Sequence, residues 1–106
     1  MRATAKYPNS VKKAMEKLGQ DIKEARLRRR ITKKIMSDRA GINYITLTKV
    51  ESGSPTVSLG IYAKVLFVLG LLDNLYNIAD ISKDKLGITL EAERLPKRIR
   101  YKRGEK

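Results

Sequence analysis

Residues 32–53 restrict the fold of this chain more than any other stretch. Thr-Lys-Lys-Ile-Met-Ser-Asp-Arg-Ala-Gly-Ile-Asn reads as a short helix followed by a glycine turn, and Tyr44 opens a second helix that reaches Glu51. Thr32 is placed to cap the first helix and Asn43 the second, each with a side-chain oxygen that accepts an orphan backbone N–H. Gly41 sits where the chain must turn, through a positive φ that only glycine adopts cheaply. Two short helices joined in this way suit the major groove of duplex DNA.

The charge agrees with that geometry. The chain has 24 Lys and Arg against 11 Asp and Glu, a formal net charge of +13, which attracts polyanions and makes nucleic acid the first partner to consider. At 106 residues there is room for one small domain and a tail. With no Cys and no His, disulfides, thiol nucleophiles, imidazole bases and the usual zinc sets are excluded, and no catalytic group or cofactor is expected. No signal peptide and no apolar run of membrane-spanning length is recognisable, so a cytoplasmic protein is expected.

Around the central segment the periodicity predicts an all-α domain. Residues 1–8 read as a flexible basic arm. A first helix, capped by Asn9 or Ser10, places Val11, Ala14, Met15, Leu18, Ile22 and Ala25 on one buried stripe and ends in Arg28-Arg29-Arg30, where cations suit the helix dipole. In the second helix Ile35, Met36 and Ala40 are expected inward; in the third, Leu47 and Val50. Ser52-Gly53-Ser54-Pro55 breaks the chain before a fourth helix over residues 58–69. That helix is apolar nearly all round. Leu59, Tyr62, Leu66 and Leu69 form one stripe, and Ile61, Val65, Val68 and Leu72 another, which with a helix over residues 71–79 is expected to bury against a second copy. The domain is thus expected over residues 9–80 and a C-terminal extension over 81–106, with weak strand character at 87–90 and a solubilising basic tail from Arg94. Asp80 and Asp84 suit turn and helix-end roles better than a metal pair.

The candidate DNA contacts divide in two. Lys33 and Lys34 lie in the first turn of the second helix, where the dipole and free N–H groups already favour a phosphate. Tyr44, Ile45, Thr48 and Lys49 start or line the outer face of the third helix. From there Lys49 can reach a guanine acceptor and Ile45 a thymine methyl. Thr46, near the same end, is a phosphate candidate.

Between residues 18 and 72 the chain resembles the helix-turn-helix domain of the phage repressor and Cro class, the Xre family. The markers are Gly19-Gln20-Asp21-Ile22-Lys23-Glu24-Ala25-Arg26, Ala40-Gly41-Ile42, Thr46-Leu47 and Glu51-Ser52-Gly53. The resemblance implies a five-helix, lambda-repressor-like fold in which Arg26 and Glu51 form a structural ion pair. It also places Lys33 at a phosphate-contacting position that is usually Gln, Tyr44, Ile45 and Lys49 at base-reading positions, and Asn43 and Thr46 at backbone-contacting ones. Tyr44 and Ile45 are less polar than the Gln or Ser usual there, and Ser37 replaces a customary Ala, tolerable in a buried site if its hydroxyl bonds a backbone carbonyl.

Over about nine tenths of its length the chain is also similar to HipB-like antitoxins. The carrying segments are Ser58-Leu59-Gly60-Ile61-Tyr62-Ala63-Lys64-Val65-Leu66, Leu69-Gly70-Leu71, Asp84-Lys85-Leu86-Gly87 and Leu95-Pro96-Lys97-Arg98-Ile99-Arg100. This likeness implies a homodimeric repressor that binds palindromic operator DNA in its own promoter. It also implies a HipA-like serine/threonine kinase toxin as partner, in some systems with a separate small toxin subunit. The alternatives are a phage-type repressor without a toxin partner and a basic RNA-binding protein.

Overall fold

The computed structural model describes residues 7–103, with side chains as far as Arg94. Of the expected basic arm, all but Tyr7 and Pro8 lies outside the described residues. Within them the chain is all-helical: α1 (Asn9–Arg28), α2 (Lys33–Ala40), α3 (Tyr44–Glu51), α4 (Leu59–Leu69), α5 (Asp73–Tyr76), a 3-10 turn (Ile81–Lys83) and α6 (Lys85–Arg103). The chain divides into two compact units, one ending at Asp73 and the other beginning at Asn74, earlier than the boundary expected at residue 80.

In the first unit, local chemistry sets where each helix starts and stops. Thr32 Oγ1 accepts from Ile35 N at 3.1 Å, Asn43 Oδ1 from Thr46 N at 2.7 Å, and Ser58 Oγ from Ile61 N at 3.2 Å. Helix α1 starts differently from expectation. Pro8 is its cap, with no side-chain bond, and the Pro8 carbonyl accepts from Val11 N and Lys12 N.

Helices α1 to α4 all end in the same paired bonds, which satisfy two orphan carbonyls through a residue in the left-handed region. Gly41, Gly53 and Gly70 hold that position after α2, α3 and α4, at φ 68°, 77° and 78°. After α1 the position belongs to Arg30, at φ 54°, with Arg30 N bonded to the Leu27 carbonyl and Ile31 N to that of Arg26.

The core gathers Ile22, Ala25, Met36, Ala40, Leu47, Val50, Tyr62, Val65, Leu66 and Leu69. Each fully buried Leu, Val, Ile or Met is worth about 1.5–3 kcal/mol. Three expectations need correction. Val11 and Ala14 are exposed, because α1 spans 20 residues while α3 spans 8, and its first turns extend beyond its partner. Close packing begins at Met15, whose backbone lies against Gly53; Gly19, one turn further, lies against Gly53 and the Glu51 carbonyl. On α2, Met36 and Ala40 are buried as expected but Ile35 is 41% exposed, because Ser37 joins the buried set and turns the inward face away from Ile35. On α4 the core takes residues from both expected stripes, Tyr62, Val65, Leu66 and Leu69, which leaves Leu59 and Phe67 as the exposed apolar pair.

The second unit corrects the sequence reading further. The helix expected over 71–79 is confined to the four residues of α5, and residues 87–90 lie inside α6 rather than in a strand. Asp84 starts α6: its Oδ1 accepts from Gly87 N at 3.0 Å and its carbonyl from Ile88 N at 2.9 Å. That cap draws Ile88-Thr89-Leu90 into the helix, although their apolar–polar alternation alone also suits a strand. The segment from Arg94, read as a solubilising tail, continues α6 through Pro96 to Arg103 on a sequence rich in helix-forming Lys, Arg, Glu and Leu. Asp80 caps the 3-10 turn through Ser82, and these bonds, the side-chain one first, hold its carboxyl below the ordinary carboxylate value.

Candidate nucleic-acid interface

Helix α3 is anchored on one side and open on the other. Leu47, Val50 and Glu51 are buried, whereas Tyr44, Ile45, Thr48 and Lys49 are exposed. At 100° per residue these four share an arc of about 140° on a single face. Exposures of 57% for Tyr44 and 66% for Ile45 leave large apolar surface in solvent on the face that also carries Lys49. The outward Ile45 is largely in solvent on a helix whose other face is fully engaged, and apolar contact with a thymine methyl is one chemistry it suits.

The phosphate candidates surround the start of that face. Thr46 is half-buried and Asn43 exposed, and the Asn43 cap uses the side-chain oxygen alone, so its amide hydrogens are not consumed by it. Lys34 is exposed, with its Nζ 3.8 Å from Asp38 one turn on, a surface pair of little energetic weight. Lys33 behaves differently from its neighbour. It is half-buried, its Nζ donates to Thr48 Oγ1 at 3.1 Å, and it lies over the Tyr44 ring, 5.0 Å from the centroid. Thr48 Oγ1 in turn donates to the Tyr44 carbonyl at 3.1 Å. The structure therefore brings a candidate phosphate contact into a hydrogen bond with one candidate base reader, Thr48, and a cation–π contact with another, Tyr44. The spacing of the motif gave no sign of this link, which depends on side-chain conformations 15 residues apart.

Two buried groups hold α3 against the rest of the unit. Arg26 and Glu51 meet as a bidentate ion pair, Nε to Oε2 at 2.6 Å and Nη2 to Oε1 at 3.1 Å. From α4, the Tyr62 hydroxyl donates to the Ser54 carbonyl at 2.7 Å, which fixes the loop leaving α3, and burial raises the Tyr62 pKa. Ser37 is buried as expected, but its Oγ has no hydrogen-bond partner among the described residues, so the carbonyl bond anticipated for it is not made.

An open cleft of 370 Å³ lies beside the C-terminal end of α3, lined by Tyr7, Lys12, Glu16 and the loop 52–56. It joins the terminus of the arm to the α3–α4 loop and had no counterpart in the sequence reading. Among the described residues there is no cluster of His, Cys, Asp or Glu that could hold a metal ion, and no helix is long and apolar enough to cross a membrane. Comparison with protein-family models, curated proteins and solved structures finds no match to this chain.

Proposed function

We propose that the protein is a sequence-specific, double-stranded DNA-binding repressor with the helix-turn-helix arrangement of the phage repressor class. The carrying observation is α3: capped at its start, pinned by Arg26–Glu51 at its end, and presenting Tyr44, Ile45, Thr48 and Lys49 on one open face. In this reading Tyr44, Ile45, Thr48 and Lys49 meet base edges, while Lys33, Lys34, Asn43 and Thr46 contact the backbone. The net charge of +13 supplies the salt-dependent attraction.

The working form in this reading is a cytoplasmic homodimer whose two α3 helices enter successive major grooves roughly 34 Å apart on a pseudo-palindromic operator. Exposed Leu59 and Phe67 on α4 support a partner surface, as do exposed Tyr76, Ile78, Ile81 and Leu86 in the second unit. The antitoxin role, in which the dimer represses its own operon and holds a HipA-like kinase, rests on the resemblance of the residues after Ser58.

The test is a mobility shift on the promoter of its own operon against structured RNA at about 150 mM salt, where non-specific binding is weakened. It is joined to co-purification from the native operon. Operator retardation with a co-purifying kinase supports the whole reading. Operator retardation without a kinase favours a repressor that has no toxin partner. Preference for RNA overturns both.

A further inference from the structure

We infer that Lys33 is a positioning residue for the reading face of α3, setting sequence choice as well as affinity. The inference rests on the DNA-binding reading and deepens it.

A lysine serving only as a phosphate counter-charge gains most from staying solvated, as Lys34 does, its side chain 83% exposed on the outside of α2. Lys33 is instead half-buried, bonded to Thr48 Oγ1 and placed over the Tyr44 ring. One ammonium thus touches two of the four side chains that line the open face of α3. The Thr48 hydroxyl is engaged in both directions, accepting from Lys33 and donating to the Tyr44 carbonyl. Its single proton is therefore committed. Thr48 is left to offer its methyl group and a remaining lone pair to a groove, which suits a thymine methyl or a base N–H donor rather than a base acceptor. The Tyr44 ring is restrained by the cation above it, so a large side chain meets DNA with less rotamer freedom to lose. Lys33 carries three donor hydrogens and spends one on Thr48, which leaves two for an acceptor on DNA while the cluster stays closed. The Thr48 bond needs only an N–H donor and can be separated from the charge, which the Tyr44 contact requires.

Two substitutions separate them. Lys33→Gln removes the charge and keeps an N–H donor for Thr48; Lys33→Met keeps the stem and loses both. The probes are a duplex enriched by the wild-type chain from a random-sequence pool and a scrambled duplex of the same composition, titrated at several salt concentrations. Both variants should lower the salt slope by about one unit. Lys33→Gln, which keeps the Thr48 bond but not the cation over Tyr44, should lower the ratio of the two affinities by about twofold to threefold, whereas Lys33→Met should cut it by about fivefold or more. In the DNA-free protein, the Lys33 ε-methylene should show an upfield ring-current shift in proton NMR that Tyr44→Leu abolishes.

An unchanged affinity ratio in Lys33→Met, or the absence of the ring-current shift, overturns the positioning role and leaves the DNA-binding reading standing. If the wild-type chain enriches no duplex, the DNA-binding reading itself falls, and the inference with it.

Discussion

Arg26 and Glu51 join the end of α1 to the end of α3 through two parallel bonds, while Arg26 Nη1 donates to the Ile31 carbonyl at 2.9 Å and ties in the connection to α2. Their side chains are 7% and 4% exposed, so each ion depends on the other for solvation. Removing one partner leaves a buried charge. Arg26→Met should destabilise the first unit by about 3–5 kcal/mol in urea unfolding. The double variant Arg26→Met, Glu51→Met should lose clearly less than the sum of the two single losses, because no ion is left uncompensated. Additive losses would show that the pair is not coupled.

Ser37 gives a prediction of opposite sign. Its hydroxyl is buried without a partner among the described residues, in the middle of a helix where alanine has the higher propensity. Ser37→Ala should raise stability by about 1 kcal/mol. Thermal unfolding of the variant checks this, and a lowered midpoint would mean that the hydroxyl is satisfied in solution.

Arg30 holds the left-handed position that glycine fills after α2, α3 and α4. A side chain at that φ costs about 1 kcal/mol. Arg30→Gly should therefore stabilise the fold by about that amount, with both capping bonds retained. Chemical denaturation measures the gain, and a loss would mean that the arginine side chain makes a contact worth more than the strain.

Two glycines in the same conformation should respond differently to substitution. Around Gly70 a Cβ meets nothing, so Gly70→Ala should cost about 1 kcal/mol, the backbone strain alone. At Gly53 a Cβ would collide with the Met15 carbonyl oxygen and come within 2.7 Å of Glu16 Cα, both part of the α1 backbone. Gly53→Ala should cost at least about 3 kcal/mol, since α1 and the end of α3 have to separate. Comparable melting points for the two variants would contradict the close approach.

What the sequence made legible was local. Thr32 and Asn43 act within three residues of themselves, Gly41 supplies its own turn, and Leu47 and Val50 follow from helical spacing; all can be read without a partner in view. The outward set Tyr44, Ile45, Thr48 and Lys49 followed from the same spacing. Features that depend on a second element were not legible. The Gly19–Gly53 approach, the exposure of Ile35 beside a buried Met36, and the bond from Lys33 to Thr48 all require packed helices. Arg30 in a glycine position runs against propensity, and the start of α6 suits a strand in sequence because Ile88-Thr89-Leu90 alternates in polarity, whereas the Asp84 cap and the helix-forming residues that follow decide for a helix.

The central claim, that α3 reads duplex DNA, is tested most directly by selection from a random-sequence duplex pool at about 150 mM salt with the wild-type chain and with Lys49→Ala. The account predicts enrichment of a two-fold symmetric consensus with half-sites about one helical turn apart, centre to centre. It also predicts that Lys49→Ala relaxes the choice at one position per half-site, at a cost of about 1–3 kcal/mol on the selected duplex and much less on random sequence. Enrichment of no consensus by the wild type, or an identical consensus and affinity ratio from Lys49→Ala, would contradict it.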